Sequence, residues 1–150
     1  MKKNNYLFLI LFLSFFLVSC TSINYDGEYE GSCIFQGAAI SSFIPTIDIS
    51  IQNNELNVDG KTVGILKEVS FVNEGYINEN PLSIVDGFED TFENIKKAKH
   101  GLCFEYEQSD VVGKVRYYIV ECNDKLYFLM GSYTEDYGYS ITRCYELSKK

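Results

Sequence analysis

The sequence predicts a mainly β domain: a small antiparallel barrel or strongly curved sheet of about seven or eight strands, with one helix inserted mid-chain. Three observations carry this expectation. Apolar and polar residues alternate, most plainly at Ile47, Ile49 and Ile51 against Asp48 and Ser50. Two-residue turn signals, Asn53-Asn54, Asp59-Gly60 and Asn123-Asp124, separate such stretches, because Asn, Asp and Gly tolerate positive φ. A single stretch, residues 81–101, has convincing helical periodicity. The alternative is an α+β arrangement, with that helix packed on an open antiparallel sheet.

Residues 25–35 form the first strand, with Glu28, Glu30 and Ser32 alternating against Tyr29, Gly31 and Cys33. A turn at Asn53-Asn54 pairs Ile51 with Leu56 and Ile49 with Val58, so the aliphatic residues share one face. Asp59-Gly60 pairs Leu56 with Val63 and opens a further strand over residues 62–72. In the helical stretch, Phe88, Phe92 and Ile95 recur at i, i+4 and i+7, an apolar stripe. Asp86, Glu89, Asp90 and Glu93 lie toward its start and Lys96, Lys97, Lys99 and His100 toward its end, complementing the helix dipole before Gly101 stops it.

The remainder is a four-strand meander over residues 102–107, 114–122, 125–133 and 139–147. The Asn123-Asp124 turn pairs Ile119 with Phe128 and Tyr117 with Met130 on the core face. It pairs Val120 with Tyr127 and Tyr118 with Leu129 on the other. If the 110–113 turn sets Tyr106 against Ile119, Cys103 lands opposite Cys122.

The Gly27-x-Tyr29 pair opening the first strand is similar to the Gly-x-Trp that opens lipocalin barrels. That resemblance implies a lumen for a small apolar ligand. Tyrosine replaces the tryptophan here, and the helix lies mid-chain, whereas the main lipocalin helix follows the barrel.

The amino end has its own pattern. Lys2 and Lys3 precede an apolar run over residues 6–16, which closes on Leu17-Val18-Ser19-Cys20. The run is short for a membrane span and suits a signal-peptide core. The tetrapeptide resembles the lipobox of bacterial lipoproteins. The resemblance implies a signal peptide at 1–19, acylation of Cys20, a tether at 20–24 and a single β-rich domain at 25–150. Thr21, rather than Asp, follows the cysteine; by the same resemblance this favours the outer membrane in a double-membraned source.

Loss of residues 1–19 leaves 11 basic against 21 acidic residues, a balance of −10. Such a body is repelled by nucleic acid and by anionic headgroups, so nucleic acid is not an expected partner. Cys33, Cys103, Cys122 and Cys144 remain, an even number in an exported chain, and predict up to two disulfides. The register above favours Cys103–Cys122, leaving Cys33–Cys144, which needs a bulge at Gly31 to bring the two onto one face. No C-x-x-C spacing indicates a redox or zinc site.

Catalytic candidates have bland explanations. His100 suits a helix C-terminus. Glu89, Asp90 and Glu93 suit a solvated helix face. Glu135-Asp136 lacks the spaced oxygen ligands of a calcium loop. No enzyme, metal or cofactor is expected. The tyrosines stand out: eight of the twelve lie in residues 101–150. Tyr133, Tyr137 and Tyr139, set among Gly, Ser and Thr, resemble binding-loop chemistry, with Tyr118 and Tyr127 extending the aromatic area on the adjacent outer face. The expected function is a non-enzymatic, lipid-anchored cell-envelope protein that binds an envelope or host macromolecule through this hairpin. Alternatives are a carrier of a small apolar ligand and an inhibitor or host-facing surface antigen.

Overall fold

The computed structural model describes residues 24–37, 42–69, 88–98, 100–107, 113–134 and 138–150, with backbone only at 134, 138 and 139. The elements are β1 (Gly27–Gln36), β2 (Thr46–Gln52), β3 (Glu55–Val58), β4 (Lys61–Ile65), β5 (Lys67–Val69), α1 (Phe88–Lys96), β6 (Gly101–Glu107), β7 (Lys114–Cys122), β8 (Lys125–Thr134) and β9 (Gly138–Lys149). The nine strands form one antiparallel sheet in the order β4-β3-β2-β1-β9-β8-β7-β6-β5, nearly closed into a barrel.

The three expected turns set the hairpins. Asn53 and Asn54, Asp59 and Gly60, and Asn123 and Asp124 all have positive φ, which matches a two-residue turn to the strand twist. Ile51 faces Leu56 and Ile49 faces Val58. Ile119 faces Phe128 and Tyr117 faces Met130. Leu56 faces Gly64 rather than Val63, because Val63 is an extra, bulged residue in β4.

Closure depends on a bend. Among the described residues, β4 pairs only with β3 and β5 only with β6. A single residue, Leu66, separates them, so one bent strand serves both ends of the sheet. This split brings the strand number to nine. Val63 and Leu66 both pack inward while Ile65 points out, 52% exposed. The alternation therefore breaks at Gly64, whose φ of +157° suits glycine.

Inward side chains from every part of the sheet meet in one cluster: Tyr29, Ile49, Leu56, Leu66, Leu102, Ile119, Phe128, Tyr145 and their neighbours. The barrel axis is thus filled by side chains. Gly31 sits where three strands crowd together; a Cβ there would lie 2.9 Å from Ile47 and 3.1 Å from Leu147.

Helix α1 covers the outside of the barrel. Phe88, Phe92 and Ile95 are buried with Phe35, Tyr118, Val120, Tyr127, Leu129, Ile141 and Cys144. Phe88 stacks on Phe35 with ring centroids 4.6 Å apart. Burying each large apolar side chain is worth roughly 2 kcal/mol. These strands are apolar on both faces, so the outer one needs a lid.

The β6–β7 register differs from the expected one. Leu102, not Tyr106, faces Ile119, and Cys103 faces Tyr118. The observed register sets Glu105 opposite Arg116 and Glu107 opposite Lys114, and opposite charges across an antiparallel pair are favourable. Cys103 lies four residues from the level of Cys122, roughly 13 Å along the strand, beyond disulfide reach. The bulge in β1 is at Ile34, between Cys33 and Phe35, rather than at Gly31. Cys33 packs with the inner cluster and Cys144 with the outer one. Neither expected disulfide is present, and no disulfide joins the described cysteines.

Candidate functional site

The strands place the expected tyrosines unequally. Tyr118 and Tyr127 are 2% and 5% exposed beneath the helix, so they are core residues and not part of a binding surface. The reason is the helix lid, which the alternation along β7 and β8 does not reveal. Tyr133 is half-buried near the far end of β8. Tyr139 faces it across the β8–β9 hairpin by backbone register. Tyr137, like Cys20, lies outside the described residues.

Tyr133 leads to a charged cluster that sequence reasoning missed. Its ring covers the Arg116 guanidinium, 3.7 Å from guanidinium carbon to ring centroid, a cation–π contact. Arg116 is only 9% exposed. Its Nε donates a hydrogen bond to Glu105, and a terminal guanidinium nitrogen donates to the Tyr118 hydroxyl at 3.3 Å. Lys114 Nζ donates to the other Glu105 oxygen at 2.8 Å. Burial works against the charge on Arg116, but Tyr118 and Glu105 outweigh it and its pKa is raised. Burial likewise opposes ionisation of Glu105, and hydrogen bonds from Lys114 and Arg116 overcome it, holding the carboxyl below its usual range. One signal was available: Arg116 is one of two arginines in the chain, and it interrupts the apolar outward face of β7.

Beside this cluster the outer surface is concave. A half-open cavity of about 510 Å³ has apolar walls from Ile65, Val69 and Phe104 and charged walls from Lys67, Glu105 and Arg116. It lies where β5 stops accompanying β6. Tyr133, Arg116 and the cavity are thus contiguous on one outer face.

The helix ends at Lys96 and Gly101 opens β6, so His100 lies beyond the helix and not at its C-terminus as expected; it is exposed, 3.9 Å from Glu68 of β5. Glu89 and Asp90 are exposed, and Glu93 pairs with Lys96 one turn on. Among the described residues, no group of three potential metal ligands converges, and no helix is long and apolar enough to cross a membrane. Compared with known proteins, the chain matches no family model, no curated protein and no solved structure.

Proposed function

We propose that this chain is a lipid-anchored cell-envelope protein, not an enzyme, that binds a macromolecular partner through the end of its barrel remote from the anchor. One relationship carries the reading. The chain enters β1 at Gly27, level with Ile51, at the end of the barrel bearing the Asn53-Asn54 turn. The β8–β9 hairpin closes at the opposite end, where Thr134 faces Gly138. Nine residue steps along β8 separate the ends, roughly 30 Å. A lipid on Cys20, followed by a short tether, would hold the first end at the bilayer. The Tyr-rich hairpin would then face away from it.

The filled axis supports this reading over a small-ligand carrier, which needs an open lumen. Tyr133 braced on Arg116 gives the hairpin a fixed aromatic base, and rigid aromatics suit binding surfaces. Inhibition of a partner, or display to a host, would use the same surface.

The test is crosslinking and pull-down of the mature protein from native membranes, with and without combined alanine replacement of Tyr133, Tyr137 and Tyr139. Loss of specific partners in the variant is expected. An unchanged partner set removes the hairpin from the function.

A further inference from the structure

We propose that Tyr106 and Tyr117 form an oxidative modification site, at which peroxide chemistry joins the two rings in a dityrosine bond. The observation is a pair of phenols in contact, near the end of the barrel that bears the β8–β9 hairpin. Phe104 faces Tyr117 and Tyr106 faces Val115, so Tyr106 and Tyr117 are diagonal neighbours across the β6–β7 ladder. Such neighbours share one face and are within reach of aromatic side chains. Here the two hydroxyl oxygens are 3.5 Å apart, and the rings meet edge to face with centroids 6.1 Å apart. Phe104 packs near both, 5.8 Å from the Tyr106 ring and 6.4 Å from the Tyr117 ring.

Exposure sets which ring is oxidised first. Tyr106 is 37% exposed, and of the tyrosine side chains described it is the one that is exposed. Tyr29, Tyr118, Tyr127 and Tyr145 are buried. An oxidant from solution therefore meets Tyr106. Tyr117 is half-buried, and burial, with the Tyr106 hydroxyl as the smaller cause, holds its pKa above the usual phenol range. It is neutral at ordinary pH, so its hydrogen must leave with the electron. The Tyr106 oxygen is in place to take that hydrogen.

One molecule of hydrogen peroxide, activated by a haem peroxidase, supplies the oxidation. Tyr106 loses an electron and a proton and becomes a phenoxyl radical. It takes the hydroxyl hydrogen of Tyr117, which becomes the radical in turn. A second loss of an electron and a proton from Tyr106 gives a radical pair. Exposure leaves the Tyr106 ring free to turn until the carbons beside the two oxygens meet. One C–C bond forms there, and the hydrogens on those carbons move to the oxygens and restore both hydroxyls. The two electrons and two protons cleave the peroxide O–O bond and give two waters. The link ties down the far half of β6, which beyond Cys103 pairs with β7 alone among the described residues.

The test treats the full-length protein, purified from membranes in detergent, with hydrogen peroxide and a haem peroxidase. Dityrosine is read by its fluorescence and located by peptide mapping. The expected main product is a single chain, lighter by two hydrogens, with residue 106 joined to residue 117. Contact gives the two rings a high effective concentration, so Tyr106→Phe and Tyr117→Phe should each lower the intramolecular yield at least about tenfold. Both variants keep the ring and its packing. Tyr25→Phe, which removes a hydroxyl elsewhere, should leave the yield unchanged. Absence of dityrosine, a main link between other tyrosines, or a product that joins separate chains and grows with protein concentration would overturn the proposal. So would an unchanged yield in Tyr106→Phe.

Discussion

Gly64 lies against the ring of Phe104 across the seam of the barrel. A Cβ on Gly64 would fall 2.2 Å from Phe104 Cε2, and its φ of +157° already disfavours a side chain. Gly64→Ala should therefore cost about 2–4 kcal/mol in urea unfolding. Gly60→Ala is the control: φ is +73° but nothing lies within 4 Å, so only a backbone cost of about 1 kcal/mol is expected. Adding Phe104→Ala to Gly64→Ala should relieve the clash, giving a double variant more stable than the sum of the singles by about 1 kcal/mol. Additive losses would show that the two residues do not touch.

Alkaline stability follows from buried phenols. Burial, with nearby acidic groups as the smaller cause, pushes Tyr25 and Tyr127 up to about 12. Burial also raises Tyr145 to about 12. A folded-state pKa above the unfolded value of 10.0 gives stability that is complete below pH 10.0 and is lost as pH rises toward 12. Absorbance titration should show these tyrosines ionising together with unfolding. Ionisation near the ordinary value in a still-folded protein would contradict their burial.

At the acid end the sign reverses. The Glu105 carboxyl is held below its ordinary value of 4.5, so its contribution is present above that value and is lost as pH falls through the folded-state pKa. Glu105→Gln should be less stable than the parent near neutral pH, and the gap should narrow as pH falls below 4.5. A gap independent of pH would remove the ion-pair explanation.

The hairpins were legible because Asn53-Asn54, Asp59-Gly60 and Asn123-Asp124 encode their conformation in adjacent residues. The helix stripe Phe88, Phe92 and Ile95 was legible for a similar reason, since periodicity reports local geometry. The β6–β7 register was not. It depends on Glu105 meeting Arg116 across a connection of several residues, and nothing local fixes the offset. Burial of Tyr118 and Tyr127 also escaped, because a strand apolar on both faces does not say what covers the second one. The groove required β5 to end early against β6, a matter of tertiary pairing.

The helix lid makes thiol reactivity a direct probe. Cys144 is 0% exposed, and burial above all pushes its thiol well above the ordinary range. Cys122 is half-buried, and Lys97 partly offsets the upward effect of burial. Iodoacetamide should alkylate Cys122 in the folded protein at least about tenfold faster than Cys144, since the accessible thiolate is the reactive form. Phe92→Ala, which opens the lid, should narrow the difference. Equal rates in the parent would mean that the helix does not seal this face.

Processing at the amino end has its own test. Cys20→Ser should abolish incorporation of a fatty-acid analogue and leave the protein unprocessed or released from membranes. Retained label in the variant would refute lipidation at Cys20.

The most direct measurement of the whole account is site-specific photo-crosslinking in native membranes, with the probe at Tyr137 in the hairpin or at Asn53 beside the point of chain entry. The hairpin position is expected to capture a discrete protein adduct, and the Asn53 position to label lipid. Lipid labelling from the hairpin and a protein adduct from Asn53 would reverse the orientation and contradict the account.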